Sequence, residues 1–85
     1  MKKQVVLTAH ARLRLRERDI DPKLINETVR DPEWTETDPR DSTIERRFRT
    51  ISQFDNRFLR VACVETESSI RVISVMFDRN ARRKP

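Results

Sequence analysis

The second half of the chain is written largely in period two. "TIERRFRTISQF" (43–54), "RFLRVACVE" (57–65) and "IRVISVMF" (70–77) alternate or run apolar over strand lengths. A two-residue repeat suits a pleated strand, whose successive side chains face opposite ways. "DN" (55–56) tolerates left-handed backbone and predicts a two-residue hairpin turn. "TESS" (66–69) predicts a second hairpin centred on Glu67. The result is a three-stranded meander, and a meander with one apolar face needs something to cover it.

The first half supplies the cover. "QVVL" (4–7) reads as a short edge strand, and it stops at Thr8, a good N-cap. From Ala9 to about Arg18 the residues are strong helix formers, with Ala9, Ala11, Leu13, Leu15 and Ile20 on the apolar side. "DIDP" (19–22) ends that helix and starts the next: Asp21 caps, Pro22 takes the first helical position, and Ile20 and Ile25 stand where a hydrophobic staple would join them. The second helix runs to about Arg30, buries Leu24, Ile25, Thr28 and Val29, and stops at "DP" (31–32). Residues 31–45 then turn acidic, with Trp34 as their only aromatic side chain, and read as a loop or short strand crossing to the sheet. The predicted order is β-α-α-β-β-β. It describes one α+β domain over 1–85, with two N-terminal helices packed on one face of an antiparallel sheet and a flexible basic tail at 78–85.

A two-residue turn at 55–56 sets residue 50 opposite 61 and residue 48 opposite 63. Ile44, Phe48, Thr50, Leu59, Val61 and Cys63 then share the apolar face with Arg71, Ile73, Val75 and Phe77. Arg47, Arg49, Ile51, Gln53, Phe58 and Arg60 fall on the other, beside Val72, Ser74 and Met76. A one-residue slip would exchange the two faces.

Composition narrows the chemistry. Eighty-five residues build one modest core. The net charge of +5 is carried mostly by arginine, which suits a nucleic acid or an acidic protein segment, with solubility as the plain alternative. The absence of glycine excludes glycine-rich phosphate loops. One cysteine and one histidine leave no internal disulfide and no cysteine-based zinc site, and Cys63 reads as a buried thiol. No signal peptide or membrane span is visible, so the expected location is cytoplasmic, and no metal or other cofactor is expected.

Two constellations remain. In "TAHARLRLRER" (8–18), His10, Arg14 and Arg18 recur at helical spacing on one side. A histidine beside arginines suits ribonucleolytic chemistry, which takes a proton from a 2′-hydroxyl and stabilises charge on the phosphate. The plain alternative is a capped helix with a solvated basic face. On the strands, Arg46, Arg47, Arg49, Arg60 and Arg71 form a basic cluster, with Phe58 available to stack on a base. That cluster suits single-stranded RNA, an acidic partner segment, or a face kept soluble and protected against edge pairing. In the tail, Arg79, Arg82, Arg83 and Lys84 add nonspecific phosphate affinity.

The helical stretch and the following "LINETVRDP" resemble an uncharacterised bacterial domain family. Its pattern T-x-H-A-x-x-R-x-x-x-R-x-I falls here on Thr8, His10, Ala11, Arg14, Arg18 and Ile20, with Pro32 closing the second helix. Arg60–Val61 and Val72–Ile73–Ser74–Val75 match its later strands. "RVIS" (71–74) and "NARRK" (80–84) are similar to BrnT-like toxins, and through them to the RelE/ParE toxin fold. The resemblance implies the toxin half of a bacterial type II toxin–antitoxin pair, a metal-independent endoribonuclease acting on mRNA and neutralised by an antitoxin protein. His10 would then transfer the proton, Arg14 and Arg18 would position phosphate, and the strand arginines would hold RNA. Self-association is compatible with this reading. The rivals are a noncatalytic basic module that binds RNA or an acidic partner, and a ParE-like inhibitor that docks on another enzyme.

Overall fold

The computed structural model describes residues 2–81, so Arg82, Arg83 and Lys84 of the tail lie outside the described residues. The elements are β1 (Gln4–Leu7), α1 (Ala9–Glu17), α2 (Pro22–Arg30), β2 (Trp34–Thr37), β3 (Glu45–Ile51), β4 (Arg57–Glu65) and β5 (Ser69–Phe77).

Both helices start where their caps direct them. The Thr8 hydroxyl accepts from the Ala11 N–H and the Asp21 carboxylate from the Lys23 N–H, each satisfying a donor that the first turn leaves orphaned. Pro22 occupies the first position of α2, and the helix buries Leu24, Ile25, Thr28 and Val29, the four residues its pattern indicates. Among the apolar residues of the first helical stretch, Ala11 and Ile20 are buried, whereas Leu13 is 49% exposed.

The sheet has five strands in the order β1-β5-β4-β3-β2 and is mixed. β1 runs parallel to β5 at its edge, which corrects the all-antiparallel expectation. A parallel neighbour needs a long crossover, and the whole α1–β4 segment provides it. The crossing segment after α2 contributes the added strand β2, antiparallel to β3. α1 packs on β5 and β1, and α2 on β3 and β4, so both helices cover the same face.

The register of β3 departs from expectation. Glu45 pairs with Cys63 and Ile51 with Arg57, leaving a five-residue connection at 52–56. A 3-10 turn over Ser52–Phe54 precedes Asp55 and Asn56, both left-handed with φ of 54° and 58°. Replacing a two-residue turn by an odd-length one changes the parity of the strand, so its side chains exchange faces. Arg47, Arg49 and Ile51 therefore look toward the helices, while Phe48 and Thr50 look away. Leu59, Val61 and Cys63 keep their expected helix-facing side and are fully buried. In β5 the register shifts between the partners of Ala62 and Cys63, making Ile73 the extra residue of a bulge. Val75 and Phe77 face the helices as expected. Beyond the bulge Val72 and Ile70 turn inward, and Arg71 turns outward opposite Val64.

The core comprises Ala11, Ile20, Leu24, Ile25, Val29, Ile51, Leu59, Val61, Cys63, Ile70, Val72 and Val75. Burial pushes the Cys63 thiol pKa up, which keeps it protonated and inert. Among the described residues, no helix is long and apolar enough to cross a membrane.

Candidate nucleic-acid interface

The N-cap at Thr8 puts His10 in the first turn of α1, where it is exposed. Arg14 follows one turn later and meets Glu17 at 3.0 Å in an exposed ion pair. Arg18 ends the helix and reaches back to the sheet, donating to the Val75 carbonyl at 3.1 Å. The Thr8 hydroxyl donates to the Ile73 carbonyl at 3.3 Å. β1 stops at Leu7, opposite Val72, so these two side chains cover the β5 edge that β1 leaves open.

The strand arginines divide between the two faces. Arg47 is 9% exposed and donates to the Val29 carbonyl at 2.9 Å, to Glu45 at 2.7 Å and to Glu65 at 2.6 Å. Burial alone would lower its pKa, but the hydrogen bonds to Glu65 and Glu45 outweigh burial and raise it. Arg49 donates to the Asp31 carbonyl at 2.7 Å. Both guanidiniums thus meet carbonyls at the C-terminus of α2, where a helix has unpaired acceptors and a negative dipole end. On the open face, Arg46 pairs with Asp38 at 3.3 Å and Arg60 with Asp78 at 3.0 Å. Arg71 is exposed on that face. Trp34 stacks on Phe48 with centroids 4.7 Å apart and planes 3° from parallel, and meets Phe58 edge-on at 5.4 Å.

The proposed site residues therefore fall into three groups. His10, Arg14 and Arg18 form the α1 stripe, Arg47 and Arg49 anchor α2, and Arg46, Arg60 and Arg71 lie beyond the sheet. Among the described residues, no hydrogen bond or ion pair joins His10 to a strand arginine. The electrostatics divide likewise. Arg46, Arg60 and Arg71 are matched in number by Glu36, Asp38 and Asp78 along the open face, whereas α1 and its cap carry Arg12, Arg14, Arg16 and Arg18 against Glu17 alone. Arg12 and Arg16, both exposed, were not singled out by the sequence pattern. Their signal was present as alternate arginines flanking the His10–Arg14 spacing.

Residues 7–77 match the family described as Domain of unknown function (DUF4258). The chain belongs to this family. Comparison with curated proteins gave no match, and comparison with solved structures gave none either. The match covers the α1 stripe and all five strands but for the first residues of β1. In this DUF4258 domain, no three His, Cys, Asp or Glu side chains among the described residues come together as a metal site would require.

One titration follows from the Arg47 network. Lys3, at 2.7 Å, and then Arg47 hold the Glu65 carboxylate well below its ordinary range, at about 2. A depressed carboxylate pKa stabilises the fold at pH values above the unfolded value of 4.5, and that contribution is lost as pH falls toward 2. Melting temperatures are expected to drop through this window, with a shallower slope for Glu65→Gln. Parallel slopes for the two proteins would refute the assignment.

Proposed function

We propose that this DUF4258 domain is the toxin half of a bacterial type II toxin–antitoxin pair, a metal-independent endoribonuclease acting on mRNA in the cytoplasm and related to BrnT-like and RelE/ParE-like toxins. The observation that carries the reading is the α1 stripe, an exposed histidine set among arginines that one glutamate does not balance. The two helices that follow β1 and gather on one face of the sheet support the kinship; the added strand β2 is a departure from the expected β-α-α-β-β-β order.

In this reading His10 takes the 2′-hydroxyl proton and Arg14 holds the adjacent phosphate. Arg18, braced against Val75, fixes the end of the stripe. Arg46, Arg60 and Arg71 contact RNA running over the open face. Arg47 and Arg49 serve indirectly by holding α2. The antitoxin supplies an acidic segment that covers α1. A second reading, a noncatalytic module for RNA or an acidic partner, is favoured by one observation: among the described residues, no carboxylate is hydrogen-bonded to His10 to orient it.

Induced expression of wild type and His10→Ala separates these readings, scored by growth and RNA integrity. Wild type is expected to arrest growth and degrade mRNA, and His10→Ala to cleave at least about 100-fold more slowly. Because His10 is exposed, its loss leaves the fold intact. Equal toxicity removes His10 as the catalyst, and a folded, nontoxic wild type selects the binding module.

A further inference from the structure

β1 lies at the end of the sheet and pairs on one side only. In a parallel ladder alternate residues make the bonds. The Thr8 N–H donates to the Val72 carbonyl at 3.0 Å, so Gln4, Val6 and Thr8 turn their backbone groups toward β5. The N–H and C=O groups of Val5 and Leu7 point away from the sheet, and among the described residues no hydrogen bond reaches them. The Lys3 carbonyl, at the head of the strand, is already taken by Arg30 at 2.8 Å. α1 lies mainly over β5, inward of this edge. The open stretch is therefore 5–7, and backbone groups left unpaired along an edge are a template for another strand.

The side chains state what kind of strand. On the helix side Val5 and Leu7 are half-buried and extend the core to the edge. On the open face Val6 is 41% exposed, and its partner in the ladder is Arg71. Arg46 and Arg60 have carboxylate partners, but Arg71 is exposed and, among the described residues, has no ion pair. An added strand sends successive side chains to opposite faces. Apolar residues on one face would continue the row of Val5 and Leu7, and an acidic residue on the other, beside Val6, would meet Arg71. β1 reads Gln-Val-Val-Leu and holds no carboxylate, so a second copy of β1 cannot supply one. The opposite edge of the sheet, β2, has Glu33, Glu36 and Asp38 along it and would repel such a strand.

We infer that the outer edge of β1 takes an extended segment of a partner protein, alternately acidic and apolar, hydrogen-bonded to Val5 and Leu7 and ion-paired to Arg71. The inference rests on the acidic antitoxin segment of the reading above and gives that segment a second point of attachment beyond α1. Its capture of Arg71 also withdraws that arginine from RNA.

The test is amide hydrogen exchange of the full chain, alone and with a capped octapeptide of alternating Glu and Val. In the free chain the Val5 and Leu7 amides are expected to exchange fast and those of Val6 and Thr8 slowly. The peptide is expected to slow Val5 and Leu7 at least about tenfold, and a Lys–Val octapeptide to leave them fast. Arg71→Glu replaces an exposed side chain, keeps the fold and is expected to weaken Glu–Val binding about tenfold. Val5→Pro removes one outward donor while sparing the ladder to β5, and is expected to abolish the protection of Leu7. Equal protection by the Lys–Val peptide, or unchanged binding by Arg71→Glu, would overturn the acidic partner at this edge. Protection that grows with the concentration of the chain alone would give the edge to a second copy and overturn the proposal. Slowed exchange confined to α1 would overturn the edge docking and leave the acidic antitoxin segment standing. Absence of binding by the Glu–Val peptide would overturn both, while the growth and RNA assays of wild type and His10→Ala judge the ribonuclease separately.

Discussion

Arg47→Ala is expected to destabilise the protein by about 3 kcal/mol. Three hydrogen bonds converge on this guanidinium, and the side chain is only 10% exposed. Removing it leaves the Val29 carbonyl in the last turn of α2 without its donor and takes away the cation that Glu45 and Glu65 share, leaving Glu65 to Lys3. Both glutamates are partly exposed, at 46% and 39%, and rehydrate, which holds the loss near the low end for a broken buried pair. In a domain of this size the melting temperature should fall by roughly 15 °C. Arg49→Ala is the control: its partner Asp31 is 84% exposed, so the cost should stay within about 1 kcal/mol. Thermal unfolding of both variants checks the pair. A loss below about 1 kcal/mol for Arg47→Ala would reduce that arginine to a surface charge.

Phe48→Ala is expected to be costlier still, about 4 kcal/mol. Phe48 is 2% exposed although it lies on the face away from the helices, because Trp34 lies flat over it. Truncation removes the buried ring and leaves the indole above a cavity. Trp34 is the only tryptophan in the chain, so its fluorescence reports the change directly. The emission of Phe48→Ala should move to longer wavelength in the folded protein. Leu59→Ala, which removes a fully buried side chain on the helix side, should destabilise by about 3 kcal/mol with little change in emission. Unchanged Trp34 emission in folded Phe48→Ala would contradict the stacked arrangement.

The helices were readable because their signals are local. Thr8, Asp21, Pro22 and the Asp31–Pro32 pair act within one turn of themselves, and the α2 stripe repeats within nine residues. The face of β4 was readable for the same reason. The face of β3 was not, since it depended on whether five residues or two make the preceding turn. Asp55 and Asn56 announced left-handed backbone correctly, but nothing in "SQF" announced the 3-10 turn before them. That single difference moved Phe48 to the open face and turned Arg47 from a surface cation into a buried one. The partners of Arg47 come from three separate elements, at Val29, Glu45 and Glu65, so no short window contained them. The α1 stripe survived intact because a helix carries its own geometry. Whether the strand arginines met that stripe depended on tertiary packing, which set the sheet between His10 and Arg46, Arg60 and Arg71.

The parallel pairing of β1 with β5 ties Gln4–Leu7 to Ser69–Val72. A chain emerging from the ribosome presents its first strand long before the neighbour that strand needs. Among the described residues β5 is the one strand β1 pairs with, and the β5 edge that α1 covers does not exist until synthesis reaches Val75. The helices can form early, but their apolar faces have no complete sheet to rest on until the last strand is made. Assembly is therefore postponed until β5 has been made and then proceeds over the whole span from β1 to β5, the kind of closure that slows folding. Shortening β5 from its C-terminal end would be felt at the N-terminus as well, because it would strip α1 of the carbonyls that hold it in place.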